Sequence, residues 1–443
     1  MDELTDLSSS NSINEVTFRT TSPEQYSTIH PSSRPSSSHL TPADYATPQQ
    51  DSEQAQSINN STFLTFKDLS QTPDLVCFSH LRWDFVFQRP QHLLTRFASH
   101  LRVFFMEEPI FDADPSASYL EVRLRGEQLW ILTPHFPGGR SAEEDEAAQQ
   151  QLLQQFMQEH QIENFIAWYY TAMALGYSHE LTPMLTVYDC MDELAAFAGA
   201  PPALLAREKE LFSRADLVFT GGQSLFEAKR ERHARVYAFP SSIDRKHFGQ
   251  ARGSMAEPAD QASVPPTRLG FFGVIDERMD IGLVAEVARQ RPEWQIVLLG
   301  PVVKIDPNTL PKQANIHYLG MKSYDELPAY ISQWDVALLP FALNESTKFI
   351  SPTKTPEYLA AGKPVVSTPI TDVIRPYGDL GLVHIAQSPQ EFIEATEKAL
   401  LQGNDAQWLS EVDTYLCNLS WDNTWAHMAD LMCRQLMQQE KQY

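Results

Sequence analysis

The segment Ser351-Pro352-Thr353-Lys354-Thr355-Pro356-Glu357-Tyr358-Leu359-Ala360-Ala361-Gly362-Lys363-Pro364-Val365-Val366 is the chain's densest set of chemically useful residues. Its pattern is a polar loop, a short helix, a glycine stop and a strand. Polar groups at a helix start face free backbone N–H groups, which suits a phosphate. Lys354 adds a mobile positive charge there. Glu357, one helical turn deeper, has the reach to accept from two ribose hydroxyls. The same residues also fit a plain helix cap with a first-turn glutamate.

A second cluster lies far upstream. His80, Arg82, Trp83, Asp84, Gln88, Arg89 and His92 crowd a strand-to-helix junction. In open α/β sheets, ligands bind beyond the carboxyl ends of the strands. Arg89 offers a bidentate fork for phosphate or carboxylate. Trp83 could stack on a sugar or carry a lipid-linked acceptor. The plain alternative is a salt-bridged loop, Asp84 with Arg82 or Arg89. Asp189-Cys190-Met191-Asp192-Glu193 also follows a strand. No histidine stands at ligand spacing, so no metal is expected there. Asp192 reads as a helix cap or, with Asp189, as an acceptor-hydroxyl contact. Gly221-Gly222-Gln223-Ser224 is a further strand-to-helix turn, and its glycines allow close backbone approach. Trp168-Tyr169-Tyr170 reads as cleft wall or core.

The elements that must position these residues form two series. Leu75–Ser79, the helix from Pro90 to His100, and Val103–Met106 make a βαβ unit, which implies parallel pairing. Leu129–Thr133, Asn164–Tyr169, Leu185–Tyr188, Leu217–Thr220 and Val236–Pro240 read as further strands, with helices between. Residues 249–266 read as a loop or linker. A second series follows: strands at Arg268–Gly273, Gln295–Gly300, Ile316–Leu319, Val336–Pro340, Pro364–Ser367 and Leu382–Ile385, with helices between. The expectation is an α/β chain of two doubly wound, Rossmann-like domains facing across a cleft. The expected bounds are 71–245 and 246–405, followed by C-terminal helices over 406–443 packing back on the first domain. Residues 1–70 are expected to be a disordered Ser/Pro/Gln-rich tail. Between 1 and 60 there are eight acids and two arginines.

With these elements in place, a resemblance becomes visible. Lys354-x-x-Glu357-Tyr358-Leu359-Ala360-Ala361-Gly362-Lys363-Pro364-Val365-Val366 resembles the donor-binding signature of GT-B glycosyltransferases of the GT4-like group. Phe239-Pro240-Ser241-Ser242-Ile243-Asp244 with Phe248 resembles their inter-domain segment. Leu269-Gly270-Phe271-Phe272-Gly273 resembles their first donor-domain strand and glycine turn. The branch it resembles most is the teichuronic-acid-type glycosyltransferases, through Phe78-Ser79-His80-Leu81-Arg82-Trp83-Asp84, Gln88-Arg89-Pro90-Gln91 and Tyr188-Asp189-Cys190-Met191-Asp192-Glu193. The resemblance spans about 74 to 405 and implies a GT-B architecture.

It also implies roles. Lys354 with Arg278 would meet the charge of a departing diphosphate. Glu357, Ser351, Thr353, Lys304 and Gly273 would bind the donor, a UDP- or GDP-sugar. His80, Trp83, Arg89, Asp189 and Asp192 would face a glycan or lipid-linked glycan acceptor. Transfer would retain anomeric configuration without a metal or other cofactor, in cell-envelope or exopolysaccharide synthesis. The family's signature carries a first glutamate eight positions before the second. Here that position is Phe349. Arg278 and Lys304 stand where solvated surface cations would be equally ordinary. A nucleotide-sugar epimerase or a non-catalytic scaffold of the same shape are the competing readings.

Composition narrows the rest. The chain has 443 residues, 57 acidic against 34 basic, for a formal charge of −23. That argues against a general nucleic-acid binder. Apolar runs fall short of the ~20 residues that cross a bilayer. Met1-Asp2-Glu3-Leu4 lacks a basic n-region, so no secretory signal is expected. Four cysteines, Cys77, Cys190, Cys417 and Cys433, form no CxxC pair. These features suggest a cytoplasmic protein, with peripheral contact at the inner membrane face left open.

Overall fold

The structure, a computed structural model, describes residues 18–21, 63–114, 117–403 and 405–441, the first of these as backbone. The first half is built on a nine-stranded sheet. In chain order its strands are β1 (Phe18–Thr21), β2 (Asp74–Phe78), β3 (Val103–Met106), β4 (Tyr119–Leu124), β5 (Leu129–His135), β6 (Phe165–Tyr169), β7 (Leu185–Cys190), β8 (Leu217–Thr220) and β9 (Val236–Ala238). The spatial order is β1-β4-β5-β3-β2-β6-β7-β8-β9. Strands β2, β3 and β5 to β9 run parallel. β4 runs antiparallel to β5. The second half carries β10 (Arg268–Phe272), β11 (Gln295–Leu299), β12 (Ile316–Gly320), β13 (Val336–Leu339), β14 (Val365–Ser367) and β15 (His384–Ile385). They form one all-parallel sheet ordered β12-β11-β10-β13-β14-β15.

Both sheets are buried on both faces, which explains their near-continuous apolar runs. Along β2, Val76 and Phe78 enter one core while Leu75 and Cys77 enter the other. The period-2 alternation of a strand produces this split. In the second half, Phe272 faces one core, and Leu269 and Phe271 the other. Gly270 in β10 lies against the indole of Trp334, where a Cβ would collide with the ring.

Two expectations need correction, one on the tail and one on the C-terminal helices. Residues 63–70, placed in the expected tail, are packed: Phe66 is buried edge-on against Phe97, with ring centroids 5.9 Å apart. The Leu64 amide donates to Asp430 Oδ1 at 2.9 Å. Phe18–Thr21 also pairs, parallel with β4. The rest of the expected tail lies outside the described residues. Residues 249–266, expected as a loop or linker, are a short helical turn and a loop, and that loop is packed down. Gln261 is fully buried, donating to the Tyr330 carbonyl at 3.1 Å and accepting from Trp334 Nε1 at 3.0 Å. The C-terminal helices divide between the halves. Ala406–Leu416 stays on the second half, its Trp408, Val412 and Leu416 joining that core. Trp421–Glu440 crosses to the first half, burying Trp421, Met428, Met432 and Leu436 there. β4 was not expected at all, although Leu120 and Val122 carry its inward alternation.

Candidate functional site

The carboxyl ends of both sheets open on one cleft of ≈ 470 Å³ between the halves. The first half contributes the loop after β2 and the turns after β7 and β8. The second contributes the turns after β10, β11 and β12, and the loop from Phe341 into the Lys354–Ala360 helix.

Lys354 and Glu357 lie together on that wall. Glu357 is 6% exposed, and its Oε2 has no hydrogen-bond partner. Burial pushes its carboxyl up to about 8, against the pull of the Lys354 ammonium. Burial also lowers the Lys354 ammonium, with Glu357 working the other way. Lys354 Nζ sits 5.9 Å from the ring centroids of both Phe271 and Phe272. The capping alternative fails: Thr353, at the helix start, makes no side-chain cap bond. Gly273 follows β10 at φ +140, and a Cβ there would run into Lys354 Cε. Its absence lets the lysine lie flat against the turn. Ser351 and Thr353 line the cleft, and the Ser351 carbonyl accepts from Ser241 Oγ at 2.9 Å.

Arg278 lines the cleft but is held bidentate by Asp276, at 2.7–3.1 Å. Its guanidinium lies 5.4 Å from the ring centroid of Phe197, from the first half. Lys304 Nζ sits 5.6 Å from the same ring and is set back from the cleft lining. One phenylalanine thus gathers both candidate cations.

The first-half candidates divide. Arg89 and Asp189 bind each other: Nε to Oδ2 at 2.9 Å and Nη2 to Oδ1 at 2.8 Å, with Asp189 fully buried. The remaining Arg89 nitrogen donates to the Phe239 carbonyl at 2.8 Å. The pair ties the helix start to β7 and to the inter-domain segment, and Arg89 also lines the cleft. Trp83 reaches the cleft wall but packs edge-on against Phe105 at 5.1 Å within the core. His80 is set back from the cleft; burial, with Lys304 nearby, lowers its imidazole to about 4. Asp84 pairs with Arg123 and Arg125, and Arg82 with Glu107, rather than with one another. Asp84 and Asp192 both line the cleft, Asp84 with its carboxyl held by the two arginines. Burial raises the Asp192 carboxyl to about 6, against Arg278, Arg89 and Lys354. It caps nothing: the short helix at Leu194–Ala196 starts from Glu193 without a side-chain bond.

Phe349, the residue in place of a carboxylate, packs against the first half's core. It therefore turns away from the donor wall. Other residues of the site carried no motif. Asp372 reaches across from the second half, its Oδ1 accepting from the Ser224 amide at 2.9 Å. Gly222 leaves room for it, since a Cβ would meet its Oδ2. Tyr324, after β12, and Phe87, after β2, stack across the cleft with centroids 4.5 Å apart. Position alone, in loops after parallel strands, was their available signal. Among the described residues, no three His, Cys, Asp or Glu side chains converge to hold a metal ion. No helix among them is long and apolar enough to cross a membrane.

Residues 267–402 match the family model of glycosyl transferases group 1. A Bacillus subtilis (strain 168) protein described as a teichuronic acid biosynthesis glycosyltransferase, TuaH, is 25% identical over 240 residues. That alignment covers 49% of this chain, which spans 59% of the relative's length. Among solved structures, sucrose-phosphate synthase from Thermosynechococcus elongatus aligns with TM-score 0.64 at 15% identity, over 82% of this chain and 99% of that one. An E. coli trehalose-6-phosphate structure bound with UDP-2-fluoro glucose gives 0.60 at 11% identity, over 82% and 98%. Anabaena HepE, solved with UDP and glucose, gives 0.55 at 13% identity, over 82% and 99%. The chain has the GT-B fold and is related, through its second half, to the group 1 glycosyl transferases.

Proposed function

We propose that this protein transfers a glycosyl unit from a UDP- or GDP-sugar to an acceptor hydroxyl. The observation that carries the reading is the buried Lys354–Glu357 pair, with one carboxyl oxygen unsatisfied, on the wall of a cleft between two Rossmann-like halves. A buried acceptor without a partner costs about 1–3 kcal/mol, and a ribose hydroxyl would satisfy it. Lys354 would then face the diphosphate, with Arg278 beside it. In the transfer, the acceptor oxygen bonds to the anomeric carbon as the bond to the diphosphate breaks. The electron pair leaves with the nucleoside diphosphate, where fixed cations stabilise it.

Retention of anomeric configuration and independence of metal follow from the resemblance. In same-face transfer the departing diphosphate oxygen takes the hydroxyl proton, so no separate base is required. Ser351, Thr353 or backbone groups take over the sugar contact that Phe349 does not make. On the first half, Asp192 is the acceptor-side group with a free carboxyl. The acceptor is a glycan or lipid-linked glycan of the cell envelope, met in the cytoplasm or at the inner membrane face. Closure of the halves over the cleft would exclude water.

The test is incubation with UDP- and GDP-sugars, with and without glycan acceptors and EDTA, following nucleoside diphosphate release and the anomeric signal of the product. Acceptor-dependent release with a retained anomer and no effect of EDTA is expected. Nucleotide binding without any turnover would replace the transferase by a scaffold, and an isomerised free nucleotide sugar would replace it by an epimerase.

A further inference from the structure

The loop after β7 presents one aromatic ring to the second half, and the chain on both sides of that ring is tied down. Lys229, 4% exposed, holds the Glu193 carboxylate at 2.7 Å and the Glu208 carboxylate at 3.0 Å. Leu194, Ala195 and Ala200 pack against the first half's core. Phe197, between them, reaches the other way. Two cations of the second half lie over its ring, the Arg278 guanidinium at 5.4 Å and the Lys304 ammonium at 5.6 Å. Both distances fall within the ~6 Å over which a ring face attracts a cation.

The guanidinium is fixed from a second direction. Asp276, buried, accepts from its Nε and Nη2 at 2.7–3.1 Å. Among the described residues its Nη1 makes no hydrogen bond, and Arg278 lines the cleft. One edge is therefore gripped, one face is covered and one donor end is left for a ligand. Lys304 is set in place by its backbone, which sits in the left-handed region at φ +60, seldom adopted by residues with a side chain. Its charge is felt inside the first half. It helps hold the His80 imidazole down and pulls against the burial that raises the Glu108 carboxyl. Both cations belong to the second half, and the ring that gathers them belongs to the first.

We propose that Phe197 is a positioning residue for the leaving group: its ring, delivered by the first half, holds Arg278 and Lys304 in the arrangement that receives the departing diphosphate, so that the cation pair is complete only when the halves are closed. The inference rests on the reading of Lys354 and Glu357 as a donor site. Phe197 acts through the two cations and touches neither substrate nor reacting atoms. An open protein holding donor alone would lack part of its leaving-group charge, which guards the donor against water.

The experiment compares the full wild-type chain with Phe197→Leu, Phe197→Tyr, Arg278→Gln and the double variant Phe197→Leu with Arg278→Gln, each confirmed folded by circular dichroism. Turnover of UDP- and GDP-sugars with glycan acceptors is followed by nucleoside diphosphate release, and UDP and GDP are titrated calorimetrically. Leucine keeps the apolar bulk and removes the ring face; tyrosine keeps the face. Phe197→Leu is expected to lower kcat by roughly five- to thirtyfold, the size of a partly desolvated ring–cation contact, with KM within about threefold. Phe197→Tyr should stay within about threefold of wild type. Added to Arg278→Gln, the leucine change should cost no more than about threefold further, carried by Lys304 alone. Wild-type kcat in Phe197→Leu overturns the inference, because apolar bulk would suffice. Equal losses in the leucine and tyrosine variants, or a leucine loss of the same size with and without Arg278, overturn it too, since the ring would then only pack. If wild type binds a nucleotide without turnover, the transferase reading falls, and the same cycle read in nucleotide affinity decides the inference. Absence of nucleotide binding in folded wild type removes the donor-site reading and this inference together.

Discussion

Glu357→Gln should make the empty protein more stable and its nucleotide binding worse. The folded-state carboxyl stands at about 8 against an ordinary 4.5. A raised value means the fold prefers the protonated form. The stability that preference carries is fully present below pH 4.5 and is lost as pH rises through about 8. At about 1.4 kcal/mol per pH unit, the stability lost relative to low pH, because folding must take up a proton, is at most about 1 kcal/mol at pH 5 and about 3 kcal/mol at pH 7. Glutamine has no such loss. Lys354 loses its partner in the variant, which offsets part of the gain, so about 1–2 kcal/mol at pH 7 is expected. Binding moves the other way. A carboxyl can give up its proton to accept at both oxygens when the ribose binds, whereas the amide keeps one of them as a donor, a loss of about 1–3 kcal/mol. Urea unfolding at pH 5 and pH 7.5, paired with calorimetric titration of UDP and GDP, measures both. A stability difference that does not grow with pH would refute the assigned burial. Unchanged nucleotide affinity would refute the ribose contact. Gain in one with loss in the other is the signature of a site kept strained for its ligand.

Gly273→Ala should displace Lys354, cut turnover more than tenfold and also lower the unfolding midpoint, since its Cβ would meet Lys354 Cε and an alanine is strained at φ +140; steady-state kinetics with a thermal melt checks this. Arg89→Ala should destabilise the first half by about 3–5 kcal/mol, because it leaves Asp189 buried and unpaired; denaturant unfolding decides, and a near-neutral result would return Arg89 to the acceptor side. Asp372→Ala should loosen the halves by removing the acceptor of the Ser224 amide, visible as a larger radius of gyration in small-angle scattering; no change would mean closure is held elsewhere. If ionised Asp192 receives the acceptor, turnover should fall as pH drops through about 6, and Asp192→Asn should lose that limb; a wild-type profile flat to pH 5 would exclude the role.

Much of the fold was legible because buried parallel strands are short apolar runs between turn residues. Leu217–Thr220 emerges with the bounds expected of it, and most other strands shift by only a residue or two. β4 was missed because Tyr119–Leu124 is half-polar and pairs antiparallel, outside the βα rhythm. The stretch over 249–266 is the loop its polar composition suggests, but a packed one. One buried glutamine, Gln261, anchors it through two hydrogen bonds, which composition does not reveal. On the donor wall, Lys354, Glu357 and Gly273 could be singled out because residue type and spacing share one turn. On the first-half wall the same reasoning gathered Arg89 and Asp189, which are 100 residues apart and bind each other. Sequence order does not show which charged groups satisfy one another across a sheet. Phe87 and Tyr324 meet only when the halves face each other.

Everything proposed for the cleft turns on a nucleotide site at Lys354 and Glu357. The most direct measurement is calorimetric titration of UDP, GDP and ADP into the full wild-type chain and into Glu357→Ala, with and without EDTA. Saturable binding of one nucleotide, unaffected by EDTA and weakened by about 1–3 kcal/mol in the variant, is the predicted result. A folded wild-type protein that binds none of them, or a variant that binds as tightly as wild type, would contradict it.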